Sequence, residues 1–367
     1  MNKLYQKKHS FLSKIHIDWP LLCGVILITS LGLIALYSAK PELEVMQKQT
    51  LRLLIAASLM MTIAQVPPRA FKAAAPWLYC IALALLASIL LIGHISKGGQ
   101  RWLDLWFVRF QPAELMKIAV PLMIARYLDA RLLPPKWTTL ILPLLLVLIP
   151  AALIAKQPDL GTALLILSSG LFVIFFSGIS WQFILSLAGC VTLFLPAMWF
   201  LMHDYQRQRV LIFLDPERDP LGKGYHIIQS KIAIGSGGLY GKGWLNGSQS
   251  HLEFLPERTT DSIFAVFSEE FGLVGCLILL ALYLYVILRG LHISVQAQDT
   301  FSRLLAGSLT MTLFVYVFVN IGMITGMLPA VGIPLPLVSY GGTSLVTLMA
   351  SFGILMSIQT HRSLLTK

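Results

Sequence analysis

Residues 263–288 read IFAVFSEEFGLVGCLILLALYLYVIL, an apolar run longer than the roughly 20 residues a helix needs to cross about 30 Å of hydrocarbon. Its only charges, Glu269 and Glu270, stand two turns in, an expensive place unless both face the protein interior. Working outward, nine further runs lie between charges, prolines and glycines: 19–37, 51–66, 77–95, 113–128, 138–155, 160–177, 181–202, 304–327 and 341–359. The composition agrees, with 56% hydrophobic and 12% charged residues over 367 positions and a mean hydropathy of +0.76. A soluble domain carries about 25% charged residues, so a water-soluble enzyme, a disordered chain and a collagen-like chain are excluded. The expected fold class is an all-α polytopic membrane protein of about ten transmembrane helices. The run 19–37 is too long, and too poorly followed by a cleavage site, for a removed signal peptide.

Ten spans put both termini on one side, and the basic residues choose that side. Lys3, Lys7, Lys8, Lys14, Arg69, Lys72, Arg126, Arg131, Lys136, Arg289, Arg303, Arg362 and Lys367 fall on the side of the termini. The opposite connections carry Lys40, Lys48, Arg52, Lys97, Arg101, Arg109 and Lys156. Thirteen against seven predicts cytoplasmic termini, with short tails at 1–18 and 360–367. One large extracytoplasmic loop, 203–260, then joins the seventh and eighth helices within a single transmembrane domain, 1–367. That loop alternates charged turns with apolar stretches around Ile227, Ile228, Ile232 and Ile234, and is expected at the membrane surface. The net charge of +11 forms no continuous stripe, which argues against nucleic acid. Cys23, Cys80, Cys190 and Cys276 each sit in an apolar run with no metal-ligand spacing, and read as small core residues.

Three groups of ionisable residues stand where charge is costly. Glu114 and Lys117 share a helical face at i,i+3 spacing, with Pro112 suited to the first turn. They form either a self-neutralising pair or the polar lining of an outward-open cavity, with Lys117 facing an anionic ligand. Asp159 opens the run at 160 and suits a helix N-cap. Asp261, with Glu257 and Arg258 close by, stands where the long loop re-enters the membrane; Thr260 or Asp261 could cap the helix, and such clustering can also tune a carboxylate for general-base work. The glycine-rich 235–243 (GSGGLYGKG) fails both the P-loop and the dinucleotide patterns and reads as a flexible surface loop. His226 and His251 are isolated loop histidines.

Several motifs together carry a family likeness: 96–104 (SKGGQRWLD), 110–114 (FQPAE), 157–162 (QPDLGT), 203–209 (HDYQRQR), 224–230 (GYHIIQS), 255–258 (LPER) with Thr260 and Asp261, and 334–342 (PLPLVSYGG). The chain resembles, over nearly its whole length, the SEDS (shape, elongation, division, sporulation) family, most closely its elongation-associated branch. The resemblance implies a ten-helix peptidoglycan glycosyltransferase that polymerises lipid II on the outer face of the bacterial cytoplasmic (inner) membrane. It also implies a class B penicillin-binding protein as transpeptidase partner within the elongation complex. Asp261 matches the family's essential outer-loop aspartate. The family's usual His, Phe and Ser are replaced here by Thr259, Ser262 and Ala113.

The chemistry needs a base for the acceptor hydroxyl and cations for the departing pyrophosphate. Asp261 is the expected base. Lys117, Arg101, Arg109, Arg207 and Arg209 are the candidate cations, oriented by Glu114 and Asp159, and Glu257 and Ser339 complete the substrate-binding set. No cofactor is called for, and a divalent cation is left open. The competing readings are a division-type polymerase, a lipid-linked oligosaccharide flippase, a polymer ligase of similar bundle architecture and a non-catalytic cell-wall scaffold.

Overall fold

The computed structural model describes residues 16–362 apart from 93, 97–98, 105–108, 158, most of 183–203, 220–222, 252–254 and 256. In chain order, α1 (Trp19–Ala39), α2 (Leu43–Ala64) and α3 (Pro68–Ile92) are followed by three strands, β1 (His94–Ser96), β2 (Gly99–Asp104) and β3 (Arg109–Phe110). Then come α4 (Pro112–Asp129), α5 (Trp137–Lys156), α6 (Leu160–Phe176), α7 (Asp204–Leu214), a 3₁₀ turn at Pro216–Arg218, α8 (Lys223–Gly237), the single turn α9 (Ser248–His251), α10 (Ile263–Gln296), α11 (Thr300–Ile324) and α12 (Thr343–Thr360). Six of the described helices, α1, α3, α5, α10, α11 and α12, are long and apolar enough to cross a membrane. Nine of the ten runs read from the sequence coincide with helices; the tenth, 181–202, lies largely outside the described residues.

Helix ends follow local chemistry. Asp18 caps α1 by accepting from Leu21 N at 2.9 Å, and Pro20 and Pro112 occupy first-turn positions where a missing N–H costs nothing. Along the bundle, α12 packs on α2, α11 on α10 and α6, and α4 on α3, α6 and α11. Ile26, Leu54, Ile141, Leu148, Leu277 and Leu284 point outward and stay exposed, the apolar rim expected of a bundle solvated by lipid.

The all-α class holds with one addition, and three other expectations are corrected. The addition is a small antiparallel sheet of β1, β2 and β3, with Ser96 opposite Gly99 and Asp104 opposite Arg109. Strands this short leave no signal in a search for long apolar runs. Helix α2 starts at Leu43, eight residues before the expected 51, so Lys48 and Arg52 belong to a helix and not to a connection. The long connection does not simply skim the membrane surface, because α8 packs on α10 and α11 with Ile227 and Ala233 buried. Nor is 235–243 a flexible loop: α8 continues to Gly237, and the following turn is bonded backbone to backbone against α10.

Candidate functional site

The chain from Glu257 to Ser262 is built as a tight turn. Glu257 has φ 51°, its carbonyl accepts from Thr260 N at 3.0 Å and Ser262 N at 3.2 Å, and its Oε2 accepts from the Thr260 hydroxyl at 2.8 Å. The N-cap position of α10 falls to Ser262, whose side chain makes no capping bond. Asp261 therefore lies one residue before the N-cap position.

That turn is held by the segment 328–342, which is proline-rich and irregular. Ser339 donates its hydroxyl hydrogen to Thr260 O at 2.6 Å while accepting from Leu335 N at 2.8 Å, and Tyr340 N donates to Thr259 O at 2.8 Å. Asn320 of α11, fully buried, spans the two strands of chain, donating to Asp261 O at 3.0 Å and to Ile333 O at 2.7 Å. On the side chain of Asp261, Oδ2 lies 3.5 Å from where a Cβ on Gly332 would stand. Each of these bonds satisfies a carbonyl that irregular backbone would otherwise leave orphaned in an apolar bundle.

Beside this segment stand α4 and α6. Asp159 caps α6 by accepting from Thr162 N at 3.1 Å, and accepts from Gln111 Nε2 at 3.1 Å. Gly161, in the first turn, lets α6 approach Val331 and Ile333. On α4, Lys117 pairs with Glu114 at 2.7 Å and donates to the Tyr316 hydroxyl, and its ammonium lies 5.0 Å from the centroid of the Tyr316 ring. Both charged side chains are only 5% exposed. Lys117 is thus bound up internally, facing a small pocket lined by Tyr316, Thr310, Thr312, Thr347 and Ser351 among apolar residues. Tyr316 also touches a second cavity floored by Pro334, Leu335, Pro336 and Ser339. Tyr316 thus stands between Lys117 and a cavity that the clamping segment lines.

The remaining sequence candidates divide. Arg209, on α7, donates to Ala330 O at 3.3 Å and so reaches the clamping segment, while Arg207 donates to Phe200 O at 2.8 Å. Arg101 and Arg109 are on β2 and β3, and their side chains lie outside the described residues. Among the described residues no three His, Cys, Asp or Glu side chains converge as a metal site. Sequence reasoning missed Asn320, Tyr316, Gln49 and Arg52. Gln49, buried in α2, accepts from Gly341 N at 3.4 Å, and the Arg52 guanidinium stacks 4.6 Å from the Tyr340 ring centroid. An amide inside an apolar run is the signal that could have found Asn320, because a polar side chain at membrane depth is retained for a partner.

Comparison with known proteins agrees with this geometry. Residues 12–364 match the profile of the FtsW/RodA/SpoVE family, described as cell cycle protein. The peptidoglycan glycosyltransferase MrdB of Escherichia coli K12 is 55% identical over 362 residues, covering 98% of each chain. A probable peptidoglycan glycosyltransferase FtsW of Geobacter metallireducens is 36% identical over 94% of this chain and 95% of its own. Among solved structures, the rod shape determining protein RodA of Thermus thermophilus superposes with a TM-score of 0.72 at 29% identity, over 95% of this chain and 98% of that one. A chain from a peptidoglycan synthase complex, solved for the structural coordination of polymerization and crosslinking, reaches 0.83 at 35% identity over 94% and 97%. The chain is a multi-pass membrane protein that belongs to the SEDS family of FtsW, RodA and SpoVE proteins.

Proposed function

We infer that this chain is a peptidoglycan glycosyltransferase that polymerises lipid II into β-1,4-linked glycan during cell elongation, with Asp261 as the general base. The observation that carries the reading is the clamp on the Asp261 turn: Asn320, Ser339 and Tyr340 hold three consecutive carbonyls, those of Asp261, Thr260 and Thr259. A base must be held within hydrogen-bond reach of the proton it takes, and this turn is fixed from two other elements. The identity of 55% to an MrdB against 36% to an FtsW favours the elongation branch over the division branch.

In the reaction, the acceptor sugar 4-hydroxyl attacks the anomeric carbon of the donor. The bond from that carbon to the pyrophosphate oxygen breaks, and the hydroxyl proton passes to the Asp261 carboxylate. Such a base contributes about 10²- to 10⁴-fold. The leaving pyrophosphate needs cations. Arg209 is the best placed of the candidates described here, since it already reaches Ala330, two residues from Gly332. Lys117, Arg101, Arg109 and Arg207 remain in the set, with Glu114 and Asp159 orienting it, and Glu257 shapes the turn. Ser339 acts through the clamp.

The topology belongs to the same reading: ten spans in the bacterial inner membrane, both termini cytoplasmic, tails at 1–18 and 360–367, and the 203–260 connection outside. The helix boundaries support it, since α1 begins at Trp19 and α12 ends at Thr360. An impermeant thiol reagent should label Asp215→Cys in intact cells, and labelling of Arg131→Cys from outside would reverse the orientation. The partner is a class B penicillin-binding protein, a reading supported by the synthase complex among the structural neighbours.

The deciding experiment is polymerisation of purified lipid II by the purified chain with its transpeptidase partner. Asp261→Asn keeps size and hydrogen bonding, so the reading expects a folded, partner-bound protein that makes almost no polymer. Near-normal polymer would reject Asp261 as the base and restore the flippase and scaffold readings.

A further inference from the structure

Helix α10 is two helices joined at Gly272, whose φ 62° and ψ −163° lie in a region open essentially to glycine alone. The first piece, from Ile263 to Phe271, carries Asp261 just ahead of its N-terminus. The backbone groups that the break would strand are taken by the turn after α8. Leu273 N and Val274 N donate to Gly238 O and Leu239 O at 3.0 and 3.1 Å, and Lys242 N and Gly243 N donate to Glu269 O and Glu270 O at 3.0 Å each. Side chains repeat the attachment. The Glu269 carboxylate, fully buried, accepts from Lys242 Nζ at 2.7 Å, Ser248 Oγ at 3.0 Å and Gln249 N at 3.0 Å, and Ser38 of α1 donates to Glu270.

We propose that the Lys242–Glu269 ion pair is a positioning lock for the polymerisation reaction, fixing the angle of the short helical piece whose far end presents Asp261. This inference rests on Asp261 being the base. Eight residues separate Asp261 from Glu269, an arm of about 12 Å along a helix. Lys242 is thus too far along the piece to serve the atom that Asp261 serves, and acts through the piece's orientation. At the other end Asn320, Ser339 and Tyr340 hold the carbonyls of Asp261, Thr260 and Thr259, so the two ends of the piece are anchored separately and a change at the Lys242 end is read as tilt at Asp261. A tilt of about 5° over that arm moves the carboxylate by about 1 Å, and a displacement of that size can cost up to about 10²-fold in rate. The Lys242 side chain is 30% exposed, so the lock has a solvent-facing half that can be changed without emptying the core.

The test compares Lys242→Met, Lys242→Arg and the double variant Lys242→Met/Glu269→Gln with wild type, each as the full chain with its transpeptidase partner on purified lipid II. The lock predicts that Lys242→Met lowers kcat by about tenfold with KM within about twofold, and that Lys242→Arg recovers most of the loss. In the double variant no lone buried carboxylate remains, so the melting midpoint returns toward wild type while kcat stays low. The double variant decides the matter even if Lys242→Met does not purify. Recovery of kcat together with the midpoint, or an unchanged kcat in the single variant, overturns the lock. Asp261→Asn in the same series separates the two readings: loss of polymer there beside normal Lys242 variants rejects the lock alone, whereas polymer from Asp261→Asn rejects the base and the lock with it.

Discussion

Removing the ammonium from Lys117 while leaving Glu114 in place isolates a carboxylate at a site that is 5% exposed. In the native chain Oε1 of Glu114 has Lys117 at 2.7 Å, and Oε2 is buried with no hydrogen-bond partner among the described residues. The lysine is therefore the principal compensation for that charge. Breaking a buried pair from one side costs about 3–5 kcal/mol, whereas replacing both members by neutral groups of similar volume is close to neutral. Lys117→Met also removes the ammonium from the Tyr316 ring while keeping most of the packing. For a domain of this size about 2–4 °C accompanies each kcal/mol, so Lys117→Met should lower the melting midpoint by roughly 6–20 °C. Glu114→Gln/Lys117→Met should melt within a few degrees of wild type. The cycle is read by scanning fluorimetry of detergent-purified protein, with lipid II polymerisation measured on the same samples. If Lys117 does more than neutralise Glu114, the double variant recovers stability and not activity. Full recovery of both would reduce the pair to self-neutralisation. A single Lys117→Met variant that melts like wild type would refute the burial argument itself.

Two other outcomes follow from local geometry. Gly272→Ala puts a Cβ 2.3 Å from Gly241 N and 2.7 Å from Leu239 O, both backbone atoms that cannot swing away. With the strain of the positive φ added, the loss should exceed about 3 kcal/mol, and a purified variant melting like wild type would contradict it. Near the two chain ends, His16 stacks on His361 with centroids 3.8 Å apart, and burial, then His361, holds its pKa below 6.5 despite the opposing Thr360 carbonyl. The folded state then binds fewer protons than the unfolded one, so the contribution of His16 is complete above pH 6.5 and is lost as pH falls below that value through the lower folded-state pKa. His16→Phe should flatten the acid side of a melting-midpoint profile, and an unchanged slope would clear His16 of that role.

What the sequence revealed and what it hid divide along physical lines. Spans were legible because about 20 consecutive apolar residues are needed to satisfy a lipid environment, whatever the tertiary fold. Asp159 was legible as a cap because capping is settled within four residues, and its bond to Thr162 N is that cap. The kink in α10 was not. Its neighbours are the donors and acceptors of 238–243, some thirty residues upstream, and no local pattern announces such a pairing. The clamp was hidden for the same reason: Asn320 reads as one amide in an apolar run, and its two acceptors, at 261 and 333, lie far away in sequence on opposite sides of it. Lys117 and Glu114 were legible as neighbours on one helical face, while Tyr316, which accepts from Lys117, carries no sequence mark of that contact.

The way the clamp is made also bears on the family residues that this chain lacks. At 259 and 262 this chain has Thr and Ser where the family resemblance implies His and Phe, a change that would be expected to loosen a carboxylate positioned by side chains. Here the contact at 259 is the Thr259 carbonyl receiving Tyr340 N, the contact at 260 is again a carbonyl, and Ser262 stands at the N-cap position without using its hydroxyl as a cap. Backbone atoms do not change with the residue that bears them, so the register between the turn and the 328–342 segment survives both substitutions. The burden moves instead onto the three donors, Asn320, Ser339 and the Tyr340 amide. Of these, Asn320 bonds both the turn, at the Asp261 carbonyl, and Ile333. Loss of its amide would take the donor from the buried Ile333 carbonyl, at about 1–3 kcal/mol, and from the part-buried Asp261 carbonyl at less. One amide on a different helix is therefore among the groups that fix the backbone of Asp261.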